Sequence, residues 1–139
     1  MSVQQTVDGG YIIAGTTRSF GPGIVYLIKT DADGNEIWSK NFGESEGDNI
    51  MVQQTTDGGY VIVGTKQVFN SDTWDYAAYL IKTDFDGTEI WSKTFDYAEC
   101  EGNSVQQTTD GGYIIAGSIG DHWKRDGYNI YLIKLEGED

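Results

Sequence analysis

One phrase, Val-Gln-Gln-Thr-x-Asp-Gly-Gly-Tyr, occurs three times, beginning at Val3, Val52 and Val105. Self-similarity at spacings of 49 and 53 residues limits the chain to a repeat architecture. The match continues downstream. Ile12-Ile13-Ala14-Gly15 returns as Val61-Ile62-Val63-Gly64 and Ile114-Ile115-Ala116-Gly117. Tyr26-Leu27-Ile28-Lys29 returns at Tyr79 and Tyr131, and Glu36-Ile37-Trp38-Ser39-Lys40 returns at Glu89 but has no third copy. The repeats are residues 1–50, 51–103 and 104–139, within one domain.

Each phrase is short, rich in Val, Ile, Tyr and Thr, and bounded by turn formers, which is the pattern of a β-strand. No stretch keeps a helical period. Within a repeat the strands are A (Val-Gln-Gln-Thr), B (Tyr-Ile-Ile-Ala-Gly), C (Tyr-Leu-Ile-Lys) and D (Ile-Trp-Ser-Lys). Asp-Gly between A and B, and Asp33-Gly34 or Asp86-Gly87 between C and D, read as hairpin turns with a glycine at positive φ. The expected fold class is all-β, with three four-stranded antiparallel meanders, the last lacking its outer strand. Meanders of this length point to β-propeller blades. The near-continuous apolar character of B and C agrees, because middle strands of stacked sheets are covered on both faces. A β-solenoid is the alternative, but its coils are shorter and do not call for a hairpin in every repeat.

The stretch Ile28 to Trp38 and its twin ending at Trp91 resemble the quinoprotein (PQQ-like) propeller repeat. The whole unit is similar to the Asp-Gly-Gly-Tyr-Ile-Ile-Ala-Gly propeller repeats of archaeal and bacterial proteins. The resemblance implies a docking motif between blades, made by an aspartate after strand C, a glycine in the C–D turn and a tryptophan in strand D. Trp38 and Trp91 would then pack between blades. It does not imply an activity, since such repeats serve enzymes, assembly factors and binding modules alike. No cofactor is expected, because the loop arginines Arg18 and Arg125 do not make up the dedicated basic and ring-stacking set a quinone needs.

Closed propellers have four to eight blades, so three repeats leave two apolar blade faces open. The expected partner is a second copy, two chains closing a six-bladed ring. Acidic residues outnumber basic ones 22 to 9, and the net charge of -13 sets nucleic acid and anionic membrane aside as partners. The single cysteine, Cys100, makes no internal disulfide, and no Cys/His cluster suggests zinc. The residues from Met1 onward show neither a basic leader nor a long apolar run, so a cytoplasmic location is expected, or a secreted one if the chain is a fragment.

The A–B and C–D turns repeat almost unchanged and lie on one face of a meander. The B–C connections (16–24, 65–77 and 118–129) vary in length and share the other face with the D–A connections. A rigid scaffold with variable loops is a common way to build a binding surface. The candidate ligand or partner residues there are Phe69, Trp74, Tyr76, His122, Trp123 and Tyr128, with Glu44, Glu46, Glu99 and Glu101 beside them. Aromatic platforms next to carboxylates suit a sugar, a cation or a basic protein segment. The function expected is therefore non-enzymatic binding or assembly on this face, for a protein or carbohydrate ligand. The alternative is a carbohydrate-active hydrolase or lyase using the loop acids. His122 has no nucleophile at a recognisable spacing, and Cys100 sits between Glu99 and Glu101, which would blunt its thiol. Asp31-x-Asp33-Gly34 and Asp84-x-Asp86-Gly87 lack the twelfth-position glutamate of a calcium loop and read as hairpins, so no metal is expected. Lys29 and Lys82 are expected at the sheet edge near these turn acids. The paired glutamines of strand A are expected to make amide contacts at the channel or between blades.

Overall fold

The computed structural model describes residues 1–17, 23–44, 50–70, 73–95, 100–119 and 129–137. Eleven strands occur among them. They are β1 (Ser2–Gln5), β2 (Tyr11–Thr17), β3 (Ile24–Thr30), β4 (Glu36–Glu44), β5 (Met51–Gln54), β6 (Tyr60–Asn70), β7 (Thr73–Thr83), β8 (Glu89–Phe95), β9 (Cys100–Gln107), β10 (Tyr113–Ile119) and β11 (Asn129–Leu135). They form three antiparallel sheets in the orders β1-β2-β3-β4, β5-β6-β7-β8 and β9-β10-β11. All-β architecture, the meander topology and the three-stranded last sheet agree with the repeat pattern. No helix among the described residues is long and apolar enough to cross a membrane.

The hairpin turns form as the Asp-Gly pairs require. In the A–B turn of the first sheet, Thr6 N–H donates to Gly10 O at 2.9 Å and Gly9 N–H donates to Thr6 O at 3.0 Å, closing a three-residue loop. Gly9, Gly58 and Gly111 sit at φ of 88°, 87° and 84°, a left-handed conformation that a side chain disfavours.

Strand period then sorts the side chains into two layers. On β6, Tyr60 and Ile62 turn toward the first sheet, where they join Ile12, Ala14, Val25 and Leu27 in one buried cluster. Val61 and Val63 turn the other way and join Ala78, Leu80, Val105, Tyr113 and Ile115 in a second. The middle sheet is thus buried on both faces, which explains why its B and C strands read as unbroken apolar runs rather than alternating ones.

Two connections differ from the sequence expectation. Residues 65–77 were expected to be a loop, but β6 and β7 are 11 residues each and pair as far as Asn70 and Thr73. Thr65, Val68, Phe69, Thr73, Trp74 and Tyr76 are β-branched or aromatic, which favours continued strand as far as Asn70 and Thr73. Likewise β9 begins at Cys100, ahead of the repeat boundary at 104, and Cys100 is buried in the second cluster with its thiol donating to Phe95 O at 3.2 Å. That thiol belongs to the packed interior rather than to an acidic surface loop.

Candidate functional site

Each A–B turn is built around an aspartate. Asp8 Oδ1 accepts from Thr6 Oγ1 at 2.5 Å, from Gly10 N–H at 3.0 Å and from Lys29 Nζ at 3.3 Å. Lys29 also donates to Thr30 O at 2.7 Å. The arrangement repeats with Thr55, Asp57, Gly59 and Lys82, and again with Thr108, Asp110, Gly112 and Lys134. Lys29 and Lys82 are buried, not edge residues, and they pair with the A–B aspartates rather than with Asp31 or Asp84. The reason is that strand C brings its last lysine alongside the tip of the A–B hairpin, where a carbonyl and a carboxylate converge. Asp31 Oδ1 and Asp84 Oδ1 are taken up within their own turns, accepting from Asp33 and Asn35 N–H, and from Asp86 and Thr88 N–H.

Hydrogen bonds from the turn hydroxyl, the glycine N–H and the lysine hold Asp8 and Asp110 down to about 2. For Asp57 burial pushes upward, and its bonds to Thr55, Gly59 and Lys82 together outweigh that, so its pKa is also lowered. A depressed carboxylate stabilises the fold above its unfolded pKa of about 3.9, and that stability is lost as pH falls through the folded value near 2. Urea unfolding at a series of pH values should therefore show stability falling between about pH 4 and 2. Asp57→Asn keeps an acceptor but strips the buried Lys82 of its counter-charge, with an expected cost at neutral pH of about 1–3 kcal/mol, discounted for the exposed carboxylate. Asp110→Asn should cost less, because Lys134 is itself solvated. Equal losses at the two positions would contradict the burial argument.

A second repeated device joins the sheets. Gln54 N–H donates to Gln4 Oε1 at 2.6 Å, and Val7 N–H donates to Gln54 Oε1 at 2.9 Å. One repeat on, Gln107 N–H donates to Gln53 Oε1 and Thr56 N–H donates to Gln107 Oε1, both at 2.8 Å. The paired glutamines are thus cross-links between successive A strands. Trp38 and Trp91 do the same work at the outer strands. Trp38 meets Tyr60 edge to face at 6.0 Å, and Trp91 meets Tyr113 at 5.8 Å.

These joints end abruptly at the two outer sheets. Ile130 and Leu132 on β11 are 86% and 67% exposed, although their equivalents Val25, Leu27, Ala78 and Leu80 are fully buried. Val3 is 65% exposed, while Val52 and Val105 are buried. On the free face of the first sheet, Met1, Ile13, Gly15, Thr16, Thr17, Tyr26 and Ile28 line an apolar hollow of about 360 Å³. Sequence reasoning predicted open faces in general but did not name Val3, Ile130 or Leu132. Aligning the repeats position by position finds them.

Of the ten candidate loop residues, only Tyr76 and Glu101 have described side chains. Tyr76 is half-buried on β7, and half-buried Glu101 lies on β9, its backbone carbonyl accepting from Tyr131 Oη at 3.3 Å. Phe69 and Trp74 face each other in register across the long hairpin, and Glu44 ends β4, with the side chains of all three outside the described set. Glu46, Glu99, His122, Trp123 and Tyr128 lie outside the described residues altogether. Among the described residues no group of three or more His, Cys, Asp or Glu side chains is placed to hold a metal ion. In comparisons with known proteins, no family model matches the chain and no curated protein matches it.

Proposed function

We propose that the three sheets are propeller blades of the type the sequence resembles, that two copies close head to tail into a six-bladed ring, and that the ring is a non-enzymatic scaffold for a protein or carbohydrate ligand. The observation that carries this reading is the exposure of Val3, Ile130 and Leu132 at positions buried in both internal joints. The front of the first sheet repeats what the third sheet offers the second, and the back of the third sheet repeats what the first offers. One contact, made twice inside the chain, is available a third time between chains.

The polar links agree in register. By equivalence, Gln5 N–H of one copy would donate to Gln106 Oε1 of the other, and Thr109 N–H would donate to Gln5 Oε1. Each large apolar side chain covered contributes roughly 1.5–3 kcal/mol. A two-chain ring forms two such joints but loses translational freedom once, so the second joint is stabilising without a second association cost.

The ligand face in this reading is the end of the sheets toward which the β6–β7 hairpin extends, away from the A–B turns. In the long β6–β7 hairpin the backbone register sets Phe69 opposite Trp74, two residue types suited to a sugar ring or a basic segment. Light scattering should give twice the 15.4 kDa chain mass at micromolar concentration, and Ile130→Glu should return it to one. A single-chain mass across that range would refute the ring. Ligand capture from a glycan and basic-peptide panel should be lost in Trp74→Ala with Trp123→Ala; unchanged capture would remove the aromatic face from the reading.

A further inference from the structure

We propose that the outer edge of β11 binds an added extended strand of the Ile-Trp-Ser-Lys type, paired antiparallel with its tryptophan opposite Lys134. The two complete sheets define this site. The edge of β3 is covered by β4 with Lys29 opposite Trp38, and the edge of β7 is covered by β8 with Lys82 opposite Trp91. Among the described residues β11 pairs with β10 alone. Its lysine shows the difference directly. The side chains of Lys29 and Lys82 are 6% and 4% exposed, and that of Lys134 is 39% exposed.

Edge strands in soluble proteins are usually guarded by proline, bulges or outward charges. The sequence Asn129-Ile-Tyr-Leu-Ile-Lys-Leu135 has no proline and one charge. That charge is turned away from the edge, since Lys134 Nζ donates to Asp110 and to Leu135 O at 3.1 Å. No register shift interrupts the β10–β11 ladder. The edge therefore keeps the straight row of backbone donors and acceptors that strand addition uses, and the tryptophan supplies the side-chain specificity.

Among the described residues, the matching receptacle for that tryptophan on the first sheet lies open. The Trp38 ring packs on Tyr60 and against Gly87, where an added Cβ would lie 2.6 Å from it. The equivalent residues of the first sheet are Tyr11 and Gly34, and an added Cβ at Gly34 meets nothing within 4 Å. In the ring, a strand on β11 would deliver its tryptophan to Tyr11 and Gly34 of the second copy. This last clause rests on the ring, whereas the edge pairing does not.

The test uses the full chain and a fluorescein-labelled peptide of residues 36–44, Glu-Ile-Trp-Ser-Lys-Asn-Phe-Gly-Glu, at 0.15 M salt to screen like charges. Saturable binding is expected, with hydrogen exchange slowed at least tenfold in 129–135. Absence of binding, protection elsewhere, or equal protection by a scrambled peptide would overturn the proposal. A peptide carrying Trp38→Ala should bind at least tenfold more weakly to the associating chain. In a Val3→Glu chain, which cannot form the ring, β11 protection should persist while that tryptophan dependence shrinks. Loss of protection only in Val3→Glu would overturn edge pairing as an independent site.

Discussion

Alanine at Leu80 is expected to lower the unfolding free energy by about 2–5 kcal/mol, while alanine at Leu132, the same position one repeat later, lowers it by less than about 1 kcal/mol in dilute monomer. Both residues are the leucine of Tyr-Leu-Ile-Lys and occupy the same place in the register, Leu80 opposite Val63 and Leu132 opposite Ala116. Only the next sheet distinguishes them. Leu80 is fully buried against the third sheet, so truncation removes its transfer energy and leaves a cavity; Leu132 has two thirds of its surface in water already. The contrast should narrow as protein concentration rises. If copies associate through this face, Leu132→Ala shifts the concentration at which the ring forms, and the loss of stability at Leu132 approaches that at Leu80. Urea titrations at two concentrations a hundredfold apart read both effects. A difference that stays constant with concentration would mean that nothing covers Leu132, and would count against the ring.

This pair also shows how far the sequence was legible. Strand positions, hairpin glycines and the order of the meanders follow from local chemistry, because β propensity and the positive φ of Gly9 or Gly58 are properties of a few neighbouring residues. The two-faced burial of β6 was readable from its unbroken apolar run. The role of Lys82 was not. Nothing in the local string places its ammonium beside Asp57, 25 residues earlier in the chain, because that contact depends on strand C passing the tip of the A–B hairpin. The glutamine links were anticipated only as amide contacts, since their partners are backbone N–H groups of the neighbouring sheet. At Phe69 and Trp74 variable length between repeats points to loop, but the β-branched and aromatic residues there favour strand, and strand pairing prevails.

The second glycine of each Asp-Gly-Gly should prove less replaceable than the first, for a different physical reason. Gly58 is held at positive φ, but an added Cβ there meets nothing, so Gly58→Ala should cost about 1–2 kcal/mol of left-handed strain. Gly59 has no such backbone demand. An added Cβ there would lie 2.2 Å from Thr83 O and 2.7 Å from Lys82 Nζ. The carbonyl belongs to the end of β7 and cannot swing aside without opening the ladder, and moving the ammonium separates it from Asp57 and from Thr83 O, its two bonded partners. Overpacking and a disturbed buried charge act together, for an expected loss of about 3 kcal/mol in Gly59→Ala. Gly43, on β4, meets nothing with an added Cβ and has no positive φ, so Gly43→Ala should stay within about 0.5 kcal/mol of the parent. Denaturant midpoints for the three variants give the order directly. If Gly58→Ala proved the more damaging, conformation and not close approach would govern this turn, and the lysine contact would lose its place as the reason for a glycine doublet in every repeat.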